Sequence, residues 1–208
     1  MFEEKKWTEE FVRRFSVYYD EMKWLYSELY NNDEHAFSYF CDMLYSYYEK
    51  RGEDLKKWDR TREEHSDWYA GNDMLGMLMY VNCFDKTLKG VRKHLDYIQE
   101  CGVNYVHLMP LLESPKGRSD GGYAVSDFTK VEPELGTMED LSGLSAECHS
   151  RGMSVCRDFV MNHTSEDHEW AKKAREGEKS YQDRYFFFDN WVSGEQQKRR
   201  VNQAESIF

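Results

Sequence analysis

The stretch VNYVHLMPLLESPKGRSDGGYAVSDF, Val103 to Phe128, decides the fold, because an apolar run closed by Pro110 passes directly into a long polar loop. Val103 to Met109 reads as a strand, and Pro110 lacks the N–H that a further ladder position needs. Within the loop, SDGGYAVSDF sets an acid, Asp120, beside two glycines and Tyr123. Gly121 and Gly122 reach positive φ cheaply and Asp120 can bond its own backbone, which is the reading as a plain turn. An acid beside an exposed aromatic ring is also what a sugar-binding surface needs. The flanking sequence has to choose between the two.

Upstream, Leu75 to Val81 is a continuous apolar run that suits a strand covered on both faces. Asp85 follows as an N-cap, then a helix with Leu88, Val91, Leu95 and Ile98 facing inward, stopped by Gly102. Downstream, Thr137 with Asp140 starts a helix that runs through Leu144 to His149, Gly152 closes it, and Met153 to Val160 is a third strand. Strand, helix, strand, helix, strand at this spacing predicts right-handed crossovers and a parallel sheet. The connection leaving the second strand is far longer than the usual length of about two to six residues. It leaves the carboxyl end of a parallel strand, where α/β sheets and barrels place their sites. The third strand runs into RDFVMNHTSEDHEW and brings Asp158, Asn162, His163, Asp167, His168 and Glu169 to the same end.

Before Gly71 the grammar is helical. Phe11, Phe15, Met22, Leu25 and Leu29 recur at helical spacing from Thr8 to Tyr30, and Asn31-Asn32 breaks the pattern. A second helix begins after Asp33, carries Phe37, Phe40, Leu44 and Tyr47 on one face, and stops near Gly52. Thr61 with Glu64 spells a capping box for a third, short helix toward Trp68.

The net charge of −11 argues against a nucleic-acid partner, since that binding rests on clustered Lys and Arg, and the one basic run, Lys198 to Arg200, is short. The first residues, MFEEKKWTEEF, lack the apolar core of a signal peptide, and no run approaches the roughly 20 apolar residues of a membrane span. The chain therefore reads as soluble and cytoplasmic, with no membrane partner. Five cysteines form no CxxC pair and read as buried thiols.

Two chemistries compete at the end of the third strand, beside a plain structural reading. His163 and His168 with the acids between them suggest a metal, but the spacing is not HExxH. Asp158 and His163 also suit hydrogen bonding to a polyhydroxylated ligand. His163 alone equally suits the plain task of satisfying a loop carbonyl.

From about Asn72 to Asn190 the chain resembles the α-amylase superfamily, glycoside hydrolase family thirteen, and most closely its amylosucrase and sucrose-hydrolase group. HLMPLLESPKGRSDGGYAVSDF, VEPELGTMEDL and DFVMNHTSEDHEW carry the resemblance, in that order. It implies an α/β fold: a helical amino-terminal domain over 1–71, the first three βα units of a (β/α)8 barrel over 72–160, and the start of a subdomain inserted after strand three over 161–208. It also implies a carbohydrate-active enzyme that hydrolyses or transfers α-glucosyl groups from sucrose or a related α-glucoside. His163 would hydrogen-bond the glucosyl unit, Tyr123 would stack beneath it, and Asp120 would pair with an arginine from later in the chain. Asp158 would orient its polar neighbours. Asn162 corresponds to a calcium ligand in many amylases, but the sucrose-active group generally does without the ion, so neither metal nor cofactor is expected.

One departure matters. A retaining glycosidase needs a nucleophile and an acid/base about 5 to 5.5 Å apart. In this superfamily they follow strands four and five, and no RxD stretch appears after the protruding segment begins. The closing EQQKRRVNQAESIF matches no barrel strand. The chain thus reads as an amino-terminal fragment, inactive alone, with its catalytic carboxylates expected beyond Phe208 and with open strand edges that favour self-association. Two alternatives remain: a non-catalytic carbohydrate-binding relative, and an α/β protein with a nucleotide pocket, which the lack of a Gly-rich loop after the first strand disfavours.

Overall fold

In a computed structural model, which describes residues 6–30 and 32–185, the chain divides into two units, Met1–Gly71 and Asn72–Phe208. Asn31, the basic run Lys198 to Arg200 and the closing EQQKRRVNQAESIF lie outside the described residues. No helix among those described is long and apolar enough to cross a membrane.

The first unit is helical: α1 (Glu9–Ser16), α2 (Tyr19–Tyr30), α3 (Glu34–Lys50) and α4 (Glu53–Glu64). The expected single helix from Thr8 to Tyr30 is two. Val17 keeps right-handed helical angles, so the break is an interruption of the hydrogen-bond ladder rather than a reversal, with Tyr18 N–H bonded to Phe15 O at 3.1 Å. The α3 N-cap is Asp33, whose carboxylate accepts from the backbone N–H groups of His35 and Ala36. Phe37 and Cys41 of α3 are buried with Phe11 and Phe15, whereas Tyr47 faces solvent. Thr61 is not a cap. It lies within α4 and its hydroxyl bonds back to Lys57 O, because that helix already starts after Gly52.

The second unit is built on β1 (Gly76–Met79), followed by α5 (Val81–Asp85), α6 (Leu88–Lys93), α7 (Leu95–Glu100) and β2 (Tyr105–Leu108). Then come β3 (Leu112–Glu113), β4 (Asp127–Val131), α8 (Met138–Ser150) and β5 (Ser154–Arg157), with α9 (Glu169–Arg175) and α10 (Lys179–Gln182) beyond. β1, β2 and β5 form a parallel sheet in that order, with Leu78, His107 and Cys156 in register. The strand order is thus 1-2-3 of the predicted βα units. β3 and β4 pair antiparallel inside the long loop.

Leu88, Val91, Leu95 and Ile98 are buried against Val106, Leu108, Leu144 and Met153, and each such side chain contributes about 1.5–3 kcal/mol by leaving water. Among the described residues β1 is covered on one face: Met77 and Met79 pack into this core, while Leu78 is 60% exposed on the other. The cap of the first crossover is Thr87, not Asp85. Asp85 ends α5, and the Thr87 hydroxyl accepts from Gly90 N–H. α8 has the predicted capping box between Thr137 and Asp140. Of the five cysteines Cys41 and Cys148 are buried and Cys156 is half-buried, but Cys83 in the short helix α5 and Cys101 at the end of α7 are exposed.

The reversal between α5 and α6 places Lys86 at φ +60° and draws α6 so close that a Cβ on Gly90 would lie 2.1 Å from Asp85 O. Only glycine fits there. Gly90→Ala should therefore destabilise the fold by about 1–3 kcal/mol, read as a lower denaturant midpoint at unchanged slope. An unchanged midpoint would show that the crossover is not packed this way.

Candidate sugar-binding site

The long loop returns to the end of β2 because two glycines let it. Gly121 and Gly122 have φ +60° and +88°, and a Cβ on them would meet Tyr80 Oη at 2.9 Å and Pro110 Cβ at 3.0 Å. The pair therefore turns the chain and admits a close approach to the ends of β1 and β2, which projects Tyr123 above the sheet. Ser165 N–H bonds Val125 O at 2.8 Å and ties the segment after β5 to the same loop.

Asp158 is the residue on which these elements converge. Its backbone N–H extends the β2–β5 ladder to Leu108 O at 3.1 Å. Its Oδ2 accepts from the Tyr123 hydroxyl at 2.6 Å, and its Oδ1 lies 2.7 Å from His107 Nε2. An ionised carboxylate only accepts, so His107 carries a proton on Nε2. The Tyr123 bond, and after it the His107 bond, hold the Asp158 carboxyl below the usual carboxylate range. In return, the bond to Asp158, with lesser help from burial and from the carboxylate charge, pushes the Tyr123 phenol up to about 12. Tyr123 thus keeps its proton and spends it on Asp158, while the residue stays 37% exposed.

His163 stands beside Tyr123, as the sequence predicts for residues at neighbouring strand ends. Its Nε2 lies 3.1 Å from Tyr123 O and its Nδ1 lies 3.3 Å from Asn162 Nδ2. The carbonyl must accept, which makes His163 the Nε2–H tautomer with Nδ1 accepting from the Asn162 amide. The imidazole therefore does satisfy a loop carbonyl, and it is exposed. Asp120 is also exposed, and its carbonyl accepts from Tyr123 N–H at 3.2 Å.

His163 and His168 do not share a site. His168 is buried and its Nδ1 caps α9 by accepting from Trp170 N–H. No group of three or more His, Cys, Asp or Glu side chains among the described residues is arranged to hold a metal ion. Asp167 pairs with Arg118, and Glu169 with Lys173 at 2.8 Å. The residue that sequence reasoning missed is His107. Its one signal was an imidazole between Val106 and Leu108 in an otherwise apolar strand.

The chain matches the family described as alpha amylase, catalytic domain, over residues 46–208. It is 36% identical over 121 residues to Maltase 1 of Drosophila virilis, covering 58% of this chain and 19% of that one. It is 42% identical over 122 residues to the trehalose synthase/amylase TreS of Mycobacterium tuberculosis, covering 58% and 19%. Among solved structures, the trehalulose synthase MutB of Pseudomonas mesoacidophila superposes with a TM-score of 0.51 at 32% identity, over 59% of this chain and 23% of that one. A mutant of MutB was crystallised with its substrate sucrose. The chain spans about a fifth of the length of these curated relatives.

The folded Asp158 carboxyl lies below its unfolded value near 3.9, so its bonds add stability that is fully present above that value and is lost as the pH falls through the folded one. Asp158→Asn should cost about 1–3 kcal/mol at pH 7 and flatten the loss of stability below about pH 4. Superimposable acid limbs for wild type and variant would remove the carboxylate from this role.

Proposed function

The chain belongs to the α-amylase family of glycoside hydrolases and transglycosylases, and from that membership we propose that its whole protein hydrolyses or transfers α-glucosyl groups with retention, from sucrose or a related α-glucoside of the amylosucrase kind. The observation that carries this reading is the state of Tyr123. With its hydroxyl proton committed to Asp158 and its carbonyl to His163, Tyr123 offers a sugar chiefly the face of its ring. A fixed aromatic face rimmed by polar groups suits the apolar face of a glucosyl unit. His163 supplies a hydrogen bond to a sugar hydroxyl when its imidazole turns from the Tyr123 carbonyl. Asp120, exposed at the loop tip, is the partner for an arginine at the back of the pocket. In this proposal residues 72–160 are the opening part of the barrel, 161–208 the start of an inserted subdomain, of which 186–208 lie outside the described residues, and 1–71 a separate helical domain.

The reacting carboxylates are assigned, in this proposal, to the part of the whole protein expected beyond Phe208. Asp158 is committed to two hydrogen bonds, and Asp167 and Glu169 are paired with cations. Both Asp158 and Glu169 are shifted downward, the wrong direction for a general acid that must hold its proton near neutrality. On this reading Tyr123, His163 and Asp120 bind the sugar, and Asp158, Asp167 and Glu169 do not cleave it.

In the full-length protein, Tyr123→Ala and His163→Ala should each lower kcat/KM for sucrose or an aryl α-glucoside at least about tenfold, or about 1.4 kcal/mol, with the fold intact by circular dichroism. Wild-type turnover in both variants would remove this loop from the sugar site.

A further inference from the structure

The chain of bonds from the sheet to the aromatic ring starts one residue deeper than the site itself. His107 lies in β2, between Leu78 and Cys156 on the neighbouring strands, and its side chain is 30% exposed. Leu108, the next residue, accepts from Asp158 N–H, so both the backbone and the carboxylate of Asp158 are referenced to consecutive residues of one strand. The carboxylate in turn holds the Tyr123 hydroxyl. Tyr123 itself sits on a loop and has no strand of its own to fix it.

We propose that His107 is a positioning residue for sugar binding: through the Asp158 carboxylate it sets the tilt of the Tyr123 ring. A carboxylate held at one oxygen only can rotate about its Cβ–Cγ bond and carry its second partner with it. Held at Oδ1 by a donor fixed in a parallel strand, it presents Oδ2 in one direction, and the phenol hydroxyl has one place to bind. The ring plane follows. His107 needs no contact with the sugar, and its donor atom, Nε2–H, is the whole of its contribution. A side chain that places an amide N–H at that point, glutamine, therefore substitutes for it, and an isosteric apolar one, leucine, does not.

The inference rests on the proposed sugar-binding reading of Tyr123, and its test separates the two. In the full-length protein, His107→Leu should raise KM for an α-glucoside about tenfold while kcat changes less than about threefold, because a ring platform binds ground and transition states alike. His107→Gln should restore KM to within about threefold. In a Tyr123→Phe background, His107→Leu should add less than about twofold, since the bond it supports is already gone. A second readout needs no activity. By NMR of tyrosine labelled at Cζ, Tyr123 should ionise at about 12 in wild type and His107→Gln, and should move toward the ordinary value of 10 in His107→Leu. If His107→Leu loses its cooperative melt, His107→Ala takes its place in every arm. Multiplicative effects in the double variant, or an unmoved Tyr123 titration, would overturn the positioning role even where Tyr123→Ala abolishes binding. Absence of α-glucoside turnover in the wild-type protein would instead defeat the functional reading, and the titration alone would then decide on His107.

Discussion

The site depends on one carboxylate that has no oxygen to spare. Asp158 ends a parallel ladder, and its two oxygens are taken by a strand imidazole and a loop phenol. Each bond decides something: the imidazole bond fixes the carboxylate to the sheet, and the phenol bond orients the ring of a tyrosine that sits in a loop. The opposite shifts of the two partners, Asp158 downward and Tyr123 upward, are the electrostatic signature of one short bond shared between them. A carboxylate in that condition is a brace, which is why the acid nearest the ring is not the one to expect in the reaction.

The loop can reach the brace only because of how it is folded. A short antiparallel pair, β3 with β4, closes the base of the long connection, with Ser126 N–H bonded to Glu113 O at 2.8 Å. Above that pair the two glycines at positive φ fold the tip onto Tyr80 and Pro110. Arg118, paired with Glu166 at 2.8 Å, links the tip to the segment after β5. These exposed charge pairs are individually weak, so the geometry is owed mainly to the backbone bonds and the close packing at the glycines.

Much of this was legible in the sequence, and the failures have physical causes. The parallel order of the strands followed from apolar runs separated by well-capped helices, and the four inward positions of the first crossover are buried as their spacing required. Boundaries set by competing caps were not legible: Asp85 and Thr87 are both good N-caps, and only the tight turn at Lys86 decides for Thr87. Tyr123, His163 and Asp158 could be placed at one end of the sheet, since strand direction alone does that. Which of them bond to which could not, because partners far apart in sequence leave no local pattern. His107 was hidden for the same reason, as a polar residue in a strand names its partner only once the register with β5 is known.

On the proposed reading Tyr123 presents its ring, not its hydroxyl, to a glucosyl unit. The most direct measurement is a crystal structure of the full-length protein soaked with sucrose. The expected result is a glucosyl ring lying against the face of Tyr123 while the hydroxyl remains on Asp158 and Asp158 remains on His107. A sugar bound with Tyr123 uncovered, or with the hydroxyl swung off Asp158 to meet it, would contradict that reading.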